Sequence, residues 1–376
     1  MSKVAKTIYW SSESVFDDAG IYFDEMIACL ESATQTINLD FYIFQYDKLG
    51  KRVIEALKEA SVRGVTIRVI VDGIGSGNSA NIVASILTDH GISVNVFRPL
   101  PWYLSNYQWS LKQGSWIEKM SYFFTSLNRR DHRKLCIIDS EIAFCGSLNI
   151  AQYHIDIGPS IDRWHDYGVK LEGENVALLD SDFSSLWAQH ETASHRNKLS
   201  SFLSNASKIK RKARNEFVIS MIANTRQQIW ICTAYFSPSR PILKALAAAC
   251  ARGVEVKLIV AEKSDVFFFP LLTATYYVDL LKMGVRVFAY QKGILHAKLM
   301  LIDEQCIIGS SNLNHRSYYH DLELDVVLNT TSAIDNVKTN LSRDIEDSRE
   351  IVLSNLRGIN KTKLLGWLPR IFRYWS

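Results

Sequence analysis

Two histidine–lysine pairs carry the chemistry this chain can do. His132 and Lys134 are followed by Asp139 and then by Gly146-Ser147-Leu148-Asn149. About 160 residues later, His296 and Lys298 are followed by Asp303 and then by Gly309-Ser310-Ser311-Asn312. One such array is a weak pattern, because strands often carry alternating polar residues. Two arrays with matching tails are too specific to arise by chance. Residues at i and i+2 of a strand share a face, so each His points the same way as its Lys. The residues that follow, Leu135 to Ile138 and Leu299 to Ile302, are apolar and suit strands buried on both faces.

Two imidazoles, two ammonium groups and two asparagines converging on one point would make an anion site, and phosphate fits best. Lysine binds phosphate as a compact point charge. Asn149, Asn312, Ser147 and Ser310 can donate to its oxygens. One imidazole can attack phosphorus while the other protonates the departing alcohol, with no metal needed. The surrounding positive charge would stabilise a five-coordinate transition state. Each imidazole also needs a carboxylate to hold its tautomer. The sequence offers one per half: Asp166, in Trp164-His165-Asp166-Tyr167-Gly168, and Glu323, in Leu322-Glu323-Leu324-Asp325.

The elements that must position these groups are duplicated as well. A strand near 35–44, a helix near 49–63 ending at Gly64 and a strand at 65–71 are matched in the second half. Their counterparts are a strand near 228–236, a helix near 239–252 ending at Gly253 and a strand at 254–260. Each half continues with a helix, a third strand (92–97; 285–290) and the motif strand. Alternation at this spacing predicts parallel β-α-β units. Gly73 to Gly77 lacks both the Rossmann spacing and the Walker lysine, and reads as a strand-to-helix loop.

With these residues in place, the chain resembles the phospholipase D superfamily, and within it the cardiolipin synthase branch, in the bacterial form without an N-terminal transmembrane anchor. The resemblance runs from about residue 8 to about residue 350. It includes Asp40 to Phe44, Arg63 to Asp72, Trp164 to Glu172 and Asn312 to Ser317 besides the two motifs. It implies an α/β fold: two similar phospholipase D-like α/β/α sandwich domains with the active site at their interface. It implies a phosphohistidine intermediate, with His132 as nucleophile and His296 as the acid and later the base. The catalytic set is then His132, Lys134, Asp139, His296, Lys298 and Asp303. Ser147, Asn149, Ser310 and Asn312 would bind substrate, Asp166 and Glu323 would orient the histidines, and neither metal nor cofactor takes part. The chain departs from the family in a shorter spacing from Asp303 to Gly309 and in Asn314, where the family often has Asp. Either Asn312 or Asn314 could face phosphate, and Asn312 is favoured.

At 376 residues with 47% apolar content, two packed domains are expected. We place them at 1–195 and 196–360, with a basic aromatic tail at 361–376 and the join in the polar stretch 192–214. A net charge of +4 is too mild for a dedicated nucleic-acid binder. The six cysteines show no C-x-x-C spacing and read as reduced core thiols of a cytoplasmic protein. No signal-like stretch opens the sequence. The longest apolar run, Val266 to Val278, is too short to span a bilayer and holds Pro270.

Two segments suggest peripheral contact with an anionic membrane, on the inner face of the cell membrane: the insert from Trp102 to Phe124 with eight aromatics and the tail from Lys361 to Ser376. The cluster from Lys208 to Arg214 could bind anionic head groups or equally be a solvated linker or helix face. The expected partners are phospholipid substrates and that membrane, not nucleic acid. The leading reading is a phosphatidyltransferase that makes cardiolipin from phosphatidylglycerol or a related phospholipid. A phospholipase D using water as acceptor is the alternative, and a nuclease or other phosphodiesterase comes third.

Overall fold

The computed structural model describes residues 9–98, 129–155, 163–188 and 201–356. The aromatic insert and the C-terminal tail lie outside the described residues. The strands are β1 (Ser12–Phe16), β2 (Thr36–Phe41), β3 (Thr66–Asp72), β4 (Ser93–Phe97), β5 (Lys134–Ile138), β6 (Ile142–Gly146), β7 (Trp164–His165) and β8 (Gly168–Glu172), then β9 (Phe202–Ser204), β10 (Gln228–Thr233), β11 (Glu255–Lys263), β12 (Arg286–Leu295), β13 (Lys298–Ile302), β14 (Gln305–Gly309), β15 (Leu324–Leu328) and β16 (Ser348–Ile351).

They form two mixed sheets. One runs β1-β8-β6-β5-β2-β3-β4 and the other β16-β12-β11-β10-β13-β14-β15-β9. The predicted β-α-β units are present: β2, β3 and β4 pair in parallel, as do β10, β11 and β12. The motif strands β5 and β13 run antiparallel to β2 and β10 and occupy the middle of their sheets. Every residue of both is buried, as the unbroken apolar runs require. The helices Lys48–Val62 and Arg240–Ala251 end as expected. Gly64 and Gly253 follow them at φ 88° and 86°, and the next amide reaches back to Ala60 O and Ala249 O at 3.1 Å in each case.

The two sheets face one another across a shared core. It holds Ile70, Leu135, Ile137 and Val169 from one sheet, with Ile259, Phe288, Leu299 and Leu301 from the other. The helices Asn175–Trp187 and Thr331–Glu346 fill this middle layer through Leu179, Phe183, Val337 and Leu341. The outer helices, such as Ala19–Ser32 and Arg240–Ala251, cover the far faces and build separate cores there. Each half is thus an α/β/α sandwich. All six cysteines are free thiols. No helix among the described residues is long and apolar enough to cross a membrane.

The basic cluster at 208–214 lies on the helix Lys208–Asn224. Lys210 pairs with Asp182, buried Arg214 pairs with Asp325 at 2.8 Å, and Arg211 donates to Tyr319 O. These three cations tie the helix to its neighbours, while Lys208 and Lys212 are exposed.

Candidate active site

The two histidines stand just before β5 and β13, and each is stitched by its backbone to the other half. His132 N donates to Leu322 O at 2.9 Å, and Leu322 N donates to Arg130 O at 2.8 Å. His296 N donates to His165 O at 2.8 Å, and β7 of the first half pairs with β12 of the second. Leu322 and His165 immediately precede Glu323 and Asp166. Each bridge therefore delivers one half's carboxylate to the other half's histidine.

The carboxylates are exchanged accordingly. Glu323 Oε2 lies 3.1 Å from His132 Nδ1, and Asp166 Oδ1 lies 2.7 Å from His296 Nδ1. Ser310 O, which can only accept, also lies 3.1 Å from His132 Nδ1, so that nitrogen carries the proton. Both imidazoles donate through Nδ1 and keep Nε2 as the reactive nitrogen.

Each carboxylate has two further donors. Asp166 accepts from Ser147 Oγ at 2.6 Å and from His154 Nδ1 at 2.8 Å. His154 Nε2 accepts the Asn149 amide, which fixes the His154 proton on Nδ1. In the second half Glu323 accepts from Ser310 Oγ and Ser317 Oγ, each at 2.5 Å, and Ser317 Oγ accepts the Asn312 amide. His154 and Ser317 hold equivalent places, and the sequence reading missed both. The near-symmetry breaks there, one half using an imidazole and the other a hydroxyl.

Burial would raise the Asp166 carboxyl, but the His296 and His154 imidazoles hold it well below the usual carboxylate range. Glu323, whose added donors are hydroxyls, is pushed by burial up to about 7. Burial also lowers both catalytic imidazoles, helped by the nearby lysines: His132 well below its ordinary value and His296 to about 4. Lys134 falls to about 7 through burial and the like charge of Lys298, and Lys298 falls to about 8 through burial. An anion entering this site would raise all four basic groups.

Several expected site residues are used differently. Asp139 and Asp303 close the far ends of the motif strands, away from the histidines. Asp139 accepts the Thr34, Gln35 and Thr36 amides, and Asp303 accepts the Arg226, Gln227 and Gln228 amides. Both sit at positive φ, 52° and 50°. They tether the turn after each motif strand to the start of the neighbouring strand and do not touch the reacting groups. The Ser147 and Ser310 hydroxyls likewise serve the carboxylates rather than a substrate. Gly146 and Gly309 are needed because a side chain there would collide with the backbone at Tyr167 O and Leu324 O on the adjacent strand.

Lys134 and Lys298 lie beneath the site, each donating Nζ to its own histidine's carbonyl, at 2.6 and 2.5 Å. Asn149 and Asn312 do face the cavity, and the Oδ1 of each is buried without a hydrogen-bond partner among the described residues. A side-chain amide can turn either end to a ligand. Asn314 spends its Oδ1 on the Ser317 amide, capping the short helix His315–Tyr319.

His132 and His296 line one cavity of about 390 Å³, the size of an ordinary small-molecule site. Its polar wall includes Arg130, Arg316, Asp321 and Asp265, and its aromatic wall Tyr42, Tyr153, Trp164, Tyr235, Phe268 and Phe269. Tyr42 lies 4.8 Å from the His132 ring and Trp164 lies 5.1 Å from the His296 ring. Tyr42 and Tyr235 sit one and two residues beyond the first strand of their β-α-β units, at positions that do not correspond: Tyr42 matches Ala234, and Tyr235 matches Ile43.

Two His-x-Lys motifs stand on paired α/β/α sandwiches, and both imidazoles line one cavity. The chain belongs to the family described as cardiolipin synthase, phospholipase D-like domain, whose model matches residues 26–187 and 218–345. It is 28% identical over 343 residues to a probable cardiolipin synthase of Bacillus subtilis, covering 88% of this chain and 65% of that protein. It is 26% identical over 355 residues to cardiolipin synthase A of Pseudomonas putida, covering 92% and 70%. The chain thus spans about two thirds of the length of these relatives. Among solved structures, phosphatidylserine synthase of Haemophilus influenzae has the same fold: TM-score 0.66, 12% identity, 96% of this chain and 93% of that one. Polyphosphate kinase of Porphyromonas gingivalis gives TM-score 0.61 and 14% identity, covering 88% and 46%.

Proposed function

We propose that this chain is a phosphatidyltransferase that forms cardiolipin from phosphatidylglycerol, or a related phospholipid, through a phosphohistidine at His132. One observation carries the reading. Two imidazoles line a single cavity, each with Nδ1 donating to a carboxylate of the opposite half.

The phosphodiester's negative charge raises the lowered basic groups around it, so His296 binds a proton that it lacks in the empty site. His132 Nε2 then attacks phosphorus. The bond from phosphorus to the head-group glycerol oxygen breaks, and His296 gives that oxygen its proton. Neutral His296 next takes the proton of a hydroxyl on a second phosphatidylglycerol. That oxygen attacks phosphorus, the phosphorus–nitrogen bond breaks, and His132 is regenerated. Lys134, Lys298, Asn149 and Asn312 hold the non-bridging oxygens as charge builds on them. Asp166 and Glu323 keep the Nδ1 tautomers and offset each imidazolium as it forms. The protein acts peripherally at the inner face of the cell membrane.

The names of the relatives support the lipid substrate, and the aromatic wall suits the apolar part of a lipid better than a sugar–phosphate chain. Incubating the protein with phosphatidylglycerol vesicles and resolving products by mass spectrometry tests the reading. Cardiolipin with released glycerol is expected. Phosphatidic acid alone would make the chain a phospholipase D, and no lipid product would place its substrate elsewhere.

A further inference from the structure

The segment after β11 carries an apolar face into solvent at the mouth of the cavity. Phe267 is 84% exposed, and Leu271, in the helix Phe269–Ala274, is 59% exposed. Single exposed apolar residues are ordinary on a soluble protein. These two are continuous with the catalytic cavity, because Val266, Phe268 and Phe269 between them line it.

The rings form an unbroken series running inward. Phe267 meets Phe268 edge to face at 5.8 Å, Phe268 stacks on Phe269 at 5.1 Å, and Phe269 stacks on Tyr235 at 4.2 Å. Tyr235 meets the His296 ring at 6.4 Å. The turn is ordered by its own hydrogen bonds: Val266 N donates to Ser264 Oγ, Phe269 N to Val266 O, and Leu272 N to Phe268 O. Pro270 stands in the first helical turn, where its fixed φ is favourable. The one carboxylate in this segment, Asp265, faces the Tyr235 hydroxyl at 2.6–2.7 Å. Apolar contact, not cationic attraction, is what this rim offers.

We propose that Val266 to Leu271 is a membrane-inserting rim, and that its ligand is a phospholipid surface. Phe267 and Leu271 enter the boundary between head groups and acyl chains. The ring series behind them carries one lipid's apolar part inward until its phosphate meets His296. The inference rests on the phospholipid reading above. Its physical basis is depth. A phosphodiester lies at the head-group level, so the histidines reach it only if the cavity mouth sits at that level, and apolar side chains anchor in that zone. Because the rim supplies no positive charge, its share of vesicle binding should be insensitive to salt, unlike that of a basic segment.

The test uses the full chain with Phe267→Ser and Leu271→Ser together. Partitioning onto mixed phosphatidylglycerol–phosphatidylcholine vesicles should fall about tenfold or more, alike at low and high salt, as burying two apolar side chains implies. Turnover of monomeric short-chain phosphatidylglycerol should stay within about twofold, since neither residue belongs to the catalytic machinery. As a second measurement, Phe267→Cys carrying an environment-sensitive fluorophore should shift to the blue on adding vesicles. Unchanged partitioning with no spectral shift overturns the proposal. So does a loss of partitioning that accompanies dissociation of an oligomer in light scattering, which would make the face a contact between copies. A wild-type protein that turns over neither monomeric nor vesicular phosphatidylglycerol refutes the phospholipid reading itself. Turnover with a fluorophore that stays in water refutes the rim alone.

Discussion

His296 Nδ1 lies 2.7 Å from Asp166 Oδ1, so the second half's imidazole is held by the first half's carboxylate. The reverse exchange holds His132 against Glu323. Neither half can carry a correctly oriented histidine alone, and docking the two sheets completes both pairs at once.

The exchange predicts a pattern of couplings. Asp166→Asn should lower kcat by about 10³–10⁴-fold, as expected when a histidine loses the carboxylate that holds its tautomer. In double-mutant cycles on kcat/KM, Asp166 should couple to His296 by more than about 1 kcal/mol, and Glu323 should couple likewise to His132. Strong coupling of Asp166 to His132 with none to His296 would mean that the pairs form within halves.

Glu323 makes stability depend on pH. Its carboxyl rises from an ordinary 4.5 to about 7 on folding, so between those values the native state binds the extra proton. Stability then falls as pH rises through that window, by of order 3 kcal/mol. Below pH 4.5 the cost is absent, and above pH 7 it is complete. Glu323→Gln should therefore melt higher than wild type at pH 8 and alongside it near pH 4.5, while losing activity. Equal melting temperatures at both pH values would show that Glu323 is not destabilised in the fold.

Asp139→Ala and Asp303→Ala should act on stability rather than chemistry. Each removes an acceptor from three backbone amides, at a cost of about 1–3 kcal/mol. Thermal midpoints should drop by several degrees, and kcat per folded molecule should stay within a few-fold. A collapse of kcat with an unchanged midpoint would restore these residues to the catalytic set.

His154→Phe removes one donor from Asp166 while filling the space. The Asp166 carboxyl should then titrate higher, yet the acidic limb of the kcat/KM profile should stay in place, because Glu323, pushed up to about 7, sets that limb. Ser317→Ala removes a donor from Glu323 and should move the limb to higher pH. A limb that moves with His154→Phe and not with Ser317→Ala would mean that Asp166 sets it.

Much of the scaffold was legible because it is local. The β-α-β order, Gly64 and Gly253 at helix ends, and the apolar motif strands all follow from periodicity within a few residues. The duplication placed His132 and His296 in equivalent settings. The pairing of carboxylates was not legible, because it depends on how two sheets dock. A reading in sequence order offers one carboxylate per half and says nothing of the exchange. Asp139 and Asp303 carried the spacing of the motif but not its chemistry, since seven residues of extended chain take them to the opposite end of the sheet. Ser147 and Ser310 stand one residue past a glycine that lets two strands close, so their hydroxyls meet the carboxylates instead of the cavity. His154 had no signal, because its partner Asp166 lies beyond a loop and its role is visible only in three dimensions.

The central claim is phosphoryl transfer through one histidine, with the other as acid and base. Rapid acid-free quenching of turnover with phosphatidylglycerol, followed by peptide mapping, measures it directly. The account predicts a phosphatidyl adduct on His132 in the wild type and none in His132→Ala. An adduct on His296, or steady turnover that survives His132→Ala, would contradict it.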